Sequence, residues 1–217
     1  MRSLVSAFAI LALLSGCATP TVPDADLARI SKVGVISTMG DTFHGISIGT
    51  TVFNNSYFSA DVPEWNIDAY IADHVQRAVT QGSPRSAVVI PRGQIGPTTS
   101  VGSRERAALE MGASRGVDTV LIVTPVANDN LPFFRRGYGL FERSMFGRGY
   151  RCVYAWIGIS VLDVRQKKDL AYNSTDNPCP ALAGKGRDDD LAIKDSFDLY
   201  TEAEKAVIIR RLELWIT

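Results

Sequence analysis

The residues best suited to metal or hydrolytic chemistry are Asp41 and the two histidines, His44 and His74. A two-metal hydrolytic site needs several histidines and carboxylates that hold the ions a few ångströms apart. With two histidines in the chain, and with His74 inside a segment of helical periodicity, such a site is not favoured. Three consecutive aspartates at 188–190 are interpreted as a solvated cap before a helical segment, with cation binding as the alternative. The sequence therefore selects no catalytic residue and predicts no metal and no cofactor.

Two of the three cysteines, Cys152 and Cys179, are predicted to form a disulfide. Apolar residues alternate along 153–161, which indicates a strand, and a polar turn at 165–168 precedes a second strand. A hairpin folded at this turn pairs residues whose numbers sum to about 331, which places Cys152 opposite Cys179. The alternatives are two free buried thiols or a reactive cysteine.

The beginning of the chain has the layout of a signal peptide. Arg2 gives a positive start, an apolar run covers residues 4–14, and small residues precede Cys17. The run has about half of the roughly 20 residues that a helix needs to cross the hydrocarbon core, so it does not predict a permanent span. The tetrad at 14–17, Leu-Ser-Gly-Cys, resembles the lipobox of bacterial lipoproteins.

The lipobox resemblance implies cleavage before Cys17 and attachment of diacylglycerol to its thiol, followed by acylation of the new amino terminus. Two or three acyl chains hold a protein stably on a membrane. Ala18 follows the cysteine, and the absence of aspartate there favours the outer membrane, facing the periplasm. The alternative is an ordinary secretory signal in which Cys17 is incidental. The chain then divides into a signal peptide (1–16), a lipidated tether (17–30), extended through residues 19–26, and a single α/β domain (31–217).

The charge balance argues against nucleic acid as a partner. Lysine plus arginine and aspartate plus glutamate each number 23, so the formal net charge is zero. Binding driven by net positive charge is therefore excluded, although local patches remain open. Removal of the signal peptide leaves about 200 residues, which suits one domain and a tether.

Short apolar strands and helical segments alternate along the domain. Strands are predicted at 33–37, 87–90 and 119–123, with helices at 63–81 and 103–115 between them. Ser103 is predicted to cap the second of these helices and Gly116 to end it, while Thr201 and Glu204 form a capping-box pattern before a last helix. Residues 40–60 are interpreted as an inserted hairpin or a long loop. The predicted fold is an α/β mixed sheet with a parallel β-α-β-α-β core plus an antiparallel hairpin, and a C-terminal amphipathic helix.

Residues 128–151 are the most unusual stretch, because they combine aromatic residues, arginines and glycines with few acids. Aromatic residues and arginines concentrate binding energy at interfaces. We interpret the stretch as a long loop that contacts an envelope protein, an anionic lipid headgroup or a cell-wall polymer. The alternative is a loop that packs its aromatic residues back onto the sheet. The predicted partner-binding residues are Phe133, Phe134, Arg135, Arg136, Tyr138, Phe141, Arg143, Arg148 and Tyr150.

Residues 111–123 run from a helix through Gly116 into the strand sequence VDTVLIV. This unit resembles those of several periplasmic α/β domains, among them the amino-terminal domain of TolB and small lipoproteins related to curli secretion and to peptidoglycan-synthase activation. The likeness covers about residues 33–175 and transfers no functional residues. It implies a non-catalytic, partner-binding module. Together with the lipobox resemblance, it favours a membrane-anchored periplasmic lipoprotein that acts as a non-catalytic binding or assembly module of the cell envelope. A periplasmic hydrolase whose site converges only in three dimensions, and a structural lipoprotein without a dedicated ligand, remain alternatives.

Overall fold

The computed structural model describes residues 22–95, 100–126, 133–145, 148–175, 179 and 190–216. The signal peptide and Cys17, the predicted lipidation site, lie outside the described residues. No described helix is both long enough and apolar enough to cross a bilayer. The elements are α1 (Asp24–Leu27), β1 (Lys32–Ser37), β2 (Thr42–Ile48), β3 (Ser56–Asp61), α2 (Ile67–Thr80), β4 (Ser86–Val89), α3 (Val101–Ser114), β5 (Thr119–Pro125), β6 (Gly137–Met145), β7 (Arg148–Asp163), β8 (Lys168–Ser174) and α4 (Glu202–Ile216).

The end of the predicted tether is not extended. Residues 24–27 form the single helical turn α1 directly after Pro23. Proline presets a backbone angle that suits the start of a helix, and the carboxylates of Asp24 and Asp26 favour the positive end of the turn. Arg85 donates a hydrogen bond to the Leu27 carbonyl at 3.1 Å. Contacts with the folded domain therefore begin before β1.

The predicted parallel β-α-β-α-β core is confirmed. Strand β1 lies between β4 and β5 and is parallel to both. Helix α2 packs on one face of this layer, where Val35 and Ala72 are buried. Helix α3 packs on the other face, where Ile36 and Ala108 are buried. Because neighbouring residues of a strand point to opposite faces, the continuous apolar run of β1 serves both layers.

The 16-residue strand β7 joins the two halves of the sheet. Residues 148–156 pair with β6, and residues 157–163 pair with β5 on one side and, from 158, with β8. The strand order is β3-β2-β6-β7-β5-β1-β4, with β8 attached to β7. In the β7–β8 hairpin Asp163 lies opposite Lys168 and Ile159 opposite Asn173, within one position of the predicted register. The antiparallel hairpin is therefore confirmed.

The predicted disulfide is present. Cys152 and Cys179 are bonded, their Cα atoms are 5.9 Å apart, and both residues are buried. They lie in an aromatic cluster with Phe134, Phe141 and Trp156, on the sheet face opposite α4. The bridge therefore attaches the chain after β8 to the first third of β7, and the free-thiol alternative is wrong.

Two glycine-rich segments contain strands. Residues 40–60 form the antiparallel hairpin β2–β3, which confirms the hairpin interpretation, and β2 also pairs in parallel with β6. The long loop predicted over 128–151 is wrong from residue 137 onward, where β6 and the start of β7 pair antiparallel. A side chain at Gly139 would place its Cβ 2.1 Å from the His44 carbonyl oxygen. This glycine thus permits close strand packing rather than marking a loop.

The helix ends follow local sequence chemistry with one correction. Ser100, not Ser103, caps α3, and the side chain of Ser103 completes a reciprocal capping box. The predicted cap at Ser103 lies one turn inside the helix, because the sequence at this end contains two hydroxyl residues that could cap it. Gly116 ends the helix with a φ of +60°, as predicted. Thr201 and Glu204 form the predicted capping box at α4, with the Glu204 carboxylate 2.8 Å from the Thr201 amide nitrogen.

Candidate partner-binding surface

Three of the predicted partner-binding residues belong to the core. Phe134 stacks on Phe141 with ring centroids 4.2 Å apart, and both are buried beside Trp156. Tyr138 is buried on the other face, where its hydroxyl donates to the Gly40 carbonyl at 3.1 Å. Burial leaves these three side chains no surface for a partner, so the prediction is corrected for them. The alternation of β6 inserts the residues into both layers.

Two further predicted residues lie half-buried across the β6–β7 pair. Arg143 is opposite Tyr150. Burial raises the pKa of the Tyr150 hydroxyl, and the hydrogen bond from Arg143 opposes this rise. Tyr150 also packs against Phe141 at 5.9 Å between ring centroids. The backbone of Arg148 begins β7, but its side chain lies outside the described part. Arg143 and Tyr150 therefore brace the hairpin and expose limited surface.

The exposed members are Phe133, Arg135 and Arg136, which precede β6. The Arg135 guanidinium lies over the ring of Tyr57, 5.6 Å from its centroid. Phe133 is 43% exposed and Tyr57 is 46% exposed. Within the described residues neither arginine forms an ion pair with a carboxylate. These four residues, Tyr57, Phe133, Arg135 and Arg136, form what we call the aromatic–arginine surface.

His44 of β2 holds this surface together. Its Nδ1 lies 2.8 Å from the Ser59 hydroxyl on β3, and it also hydrogen-bonds to the backbone of Arg136. Burial lowers the pKa of His44 below its usual 6.5, the positive charge of Arg135 lowers it further, and the Arg136 hydrogen bond opposes both effects. A neutral imidazole therefore links two strands to the segment that carries the arginines.

Sequence reasoning missed the contribution of the β2–β3 hairpin. Tyr57 and Ser59 alternate with the more buried Phe58 and Ala60 along β3, a strand pattern that could have indicated an exposed face. At the turn between β2 and β3, Val52 and Phe53 both protrude, and Phe53 is 94% exposed. Exposed apolar clusters rimmed by polar residues are typical of interaction sites. The hairpin therefore extends the aromatic–arginine surface.

Strand β3 is also an edge of the sheet. The Val62 amide donates to the Asp41 carbonyl at 2.7 Å, and hydrogen-bonded pairs alternate along an antiparallel ladder. The backbone groups of Tyr57, Ser59 and Asp61 consequently point away from β2. Among the described residues, no backbone group bonds to them.

A carboxylate cluster at the carboxyl end of β1 has a structural role. Asp68 accepts hydrogen bonds from the Ser37 hydroxyl at 2.5 Å, the Met39 amide at 2.7 Å and the Arg92 guanidinium at 2.9 Å. Arg92 also pairs with Asp41 at 2.5 Å. The donors around Asp68 are thus already used to hold the β1–β2 connection, which leaves the carboxylate poorly placed for catalysis.

A second cleft lies between α3 and the β7–β8 hairpin, where Glu105, Arg136, Asp169 and Tyr172 converge. Burial raises the pKa of Glu105, and the negative charge of Asp169 raises it further. Among the described residues no group of three histidines, cysteines or carboxylates could hold a metal. The cleft therefore brings two carboxylates and an arginine together.

Two further sequence patterns that could indicate chemistry are a Gly-x-Ser-x-Gly stretch and an aspartate run. Residues 45–49 read Gly-x-Ser-x-Gly, but Ser47 lies within β2 and not at the strand-to-helix turn that a nucleophile elbow requires. Of the aspartates at 188–190, the described Asp190 pairs with Arg211 at 2.7 Å, which lowers the pKa of Asp190. Neither feature forms a catalytic site among the described residues.

No family model matches the chain, and no curated protein matches it. Among solved structures it is similar to the LpoB C-terminal domain from Salmonella enterica, with 8% identity over 77% of this chain and 89% of that chain and a TM-score of 0.30. It is also similar to lipoprotein GNA1162 from Neisseria meningitidis, with 10% identity over 86% of this chain and 96% of that chain and a TM-score of 0.32. At TM-scores this low the likeness says nothing about what the chain does.

Proposed function

We propose that this protein is a lipoprotein anchored through Cys17 to the outer membrane, facing the periplasm, and that it acts as a non-catalytic binding or assembly module of the cell envelope. The observation that carries the binding role is the aromatic–arginine surface. Its arginines have no carboxylate partner among the described residues, and its aromatic rings remain exposed beside them. Arginine and aromatic side chains placed together are the commonest source of strong contacts at protein interfaces.

The first strand of the domain starts at a distance from this surface. The β1–β5 and β5–β7 pairings place the start of β1 beside Asp163 of β7 when positions are compared along the strand direction. Tyr57 lies at the level of Cys152, through the β3–β2, β2–β6 and β6–β7 pairs. At about 3.3 Å per residue the two levels are roughly 35 Å apart along the strand. The first strand of the domain therefore begins far along the sheet from the aromatic–arginine surface.

The disulfide supports the proposed compartment. Cys152 and Cys179 are bonded and buried. Structural disulfides persist in oxidising compartments such as the periplasm and are rare in the cytosol. The lipobox resemblance at 14–17 and the disulfide are independent features of the sequence, and both favour the envelope.

The anchor is tested by mass spectrometry of the protein purified from bacterial membranes. We expect an amino-terminal peptide that starts at Cys17 and carries diacylglycerol and an acyl chain, and we expect the protein to separate with the outer membrane on a density gradient. The matched control is Cys17→Ala, which keeps the apolar run and removes the thiol. An unmodified Cys17 within an uncleaved chain would refute the proposed anchor.

The binding role is tested by photo-crosslinking in living cells. A photoreactive amino acid replaces Phe133 on the aromatic–arginine surface, and a control copy carries it in place of the exposed Gln81 at the end of α2. We expect a discrete adduct with an envelope component from position 133 and no such adduct from position 81. Identical products at both positions, or none at position 133, would contradict a partner on this surface. The substitution Arg135→Gln together with Arg136→Gln should weaken the adduct without changing the lipid anchor.

A further inference from the structure

We infer that β3 is a dimerisation edge, which pairs antiparallel with β3 of a second copy of this chain and so continues the sheet across a two-fold axis. The inference goes beyond the proposed function and does not depend on it. The pairing engages Tyr57 and Arg135 of the aromatic–arginine surface, whereas Phe133 and Arg136 are not part of it. Its basis is the free backbone edge, the pattern of side chains along that edge, and the position of one arginine.

The backbone of β3 is prepared for such a pairing. Tyr57, Ser59 and Asp61 present outward-facing amide and carbonyl groups, which bond to no backbone group of the described residues. Centring the two-fold axis on Ser59 places Tyr57 opposite Asp61 of the second copy, and each of these pairs joins two outward-facing residues. Every outward group of the strand then gains a partner.

The edge has few of the features that normally prevent strand addition, and its one charged residue is Asp61. Edge strands are commonly protected by lysine, proline or a very short length. β3 has six residues and contains no lysine, arginine or proline. At the opposite edge of the sheet, β4 has four residues and directly follows Arg85. The contrast marks β3 as the edge left open for pairing.

Charge selects the register on one face of the strand. Opposite residues of an antiparallel pair lie about 5 Å apart at Cβ. Asp61 of the second copy therefore comes next to Tyr57, where the Arg135 guanidinium covers the ring. Asp61 and Arg135 form no ion pair within one chain among the described residues. The two-fold axis repeats the contact, so the interface gains two arginine–aspartate pairs.

Size and hydrophobicity fit on the other face. Phe58 comes opposite Ala60 of the second copy, which pairs a large ring with a small side chain. Phe58 is half-buried against Phe43 and Tyr200. Leu199 is 56% exposed in the 3₁₀ turn that contacts β3, and the second copy would cover it. Registers centred on Tyr57 or on Asp61 would instead bring like charges together.

The backbone pairing is tested by sedimentation velocity of the full chain in detergent across a concentration series. We expect a monomer–dimer equilibrium in the wild type and in Ser59→Ala. Ser59→Pro should weaken dimerisation at least tenfold, because it removes an outward amide at an edge position that tolerates proline. Both variants lack the hydroxyl that contacts His44, so they differ in the outward amide and the ring. A monomeric wild type, or a proline variant that dimerises as well as the alanine variant, overturns the inference.

The register is tested by charge exchange. Arg135→Asp alone and Asp61→Arg alone each place like charges across the interface, and each should weaken the dimer at least tenfold. Mixing the two variants restores both opposite-charge contacts, so the mixture should form a heterodimer of near wild-type stability. This recovery also shows that each variant is folded. A mixture that stays monomeric while the wild type dimerises overturns the proposed register. If the wild-type chain binds an unrelated acidic strand at β3 instead of a second copy, the proposed partner of β3 is wrong.

Discussion

Removal of the Cys152–Cys179 bridge should lower the free energy of unfolding by an amount that follows from the length of chain it closes. The two residues are separated by 27 positions. In the chain-entropy model a loop of this length contributes about 3.5 kcal/mol, because the bridge restricts the unfolded chain. For a domain of this size that loss corresponds to roughly 10 °C in Tm.

The double substitution Cys152→Ala and Cys179→Ala adds a packing loss to the entropic one. Both sulfur atoms are buried in the aromatic cluster around Trp156, so their removal should cost about another 1 kcal/mol each. Reduction of the wild type leaves the sulfur atoms in place and isolates the entropic part. We therefore expect the order of stability to be oxidised wild type, reduced wild type, double variant.

The assay is urea unfolding of the full chain, followed by tryptophan fluorescence and by circular dichroism. Trp156 reports on the cluster directly, since its indole nitrogen donates to the Thr175 carbonyl at 2.9 Å, close to the bridged segment. The reduced protein should also show a larger dependence of the free energy on urea, because its unfolded state exposes more surface. Equal midpoints for the oxidised and reduced proteins, or two titratable thiols in the oxidised unfolded protein, would refute the reasoning.

Three further predictions concern single side chains. The pKa of His44 is below its unfolded value of 6.5, so the unfolded chain binds more protons than the folded protein as pH falls below 6.5. The free energy of unfolding should therefore decrease with acidity in this range. Thermal unfolding at pH 7.5 and pH 5.5 should show a smaller decrease in His44→Gln than in the wild type. Gly112→Ala should destabilise by about 1–3 kcal/mol, because its Cβ would lie 2.5 Å from a Val120 methyl carbon, whereas Gly102→Ala in the same helix meets open space and should stabilise by up to about 1 kcal/mol in urea titration. Asp68→Asn should cost about 2–4 kcal/mol by the same titration, because an amide cannot serve all the donors around this site; an unchanged midpoint would show that this carboxylate does not hold the β1–β2 connection.

Most of the fold is predictable from local patterns. The apolar runs of β1 and β5, the helical repeat of α2 and the glycine after α3 each depend on neighbours along the chain, and all three predictions agree with the structure. The register of the β7–β8 hairpin is local as well, because turn and strand periodicity together determine which residues face each other. The disulfide followed from that register.

The character of the chain between residues 128 and 151 could not be predicted in this way. Composition groups Phe133 with Phe134 and Arg135 with Arg143, although the structure exposes the first member of each pair and buries the second at least in part. The difference arises from strand pairing with β2, a segment some ninety residues earlier in the chain, which adjacent residues do not report.

By itself, then, the sequence determined the alternation of strands and helices and the cysteine pairing, because each depends on short-range order along the chain. Lipidation at Cys17 is likewise a prediction from a short local motif. Tertiary structure alone decided that Tyr57 lies beneath Arg135, that His44 joins β2 to β3 and to the arginine segment, and that β3 is a free edge. These features depend on contacts between distant segments, and burial and edge position are properties of the assembled sheet rather than of any segment within it.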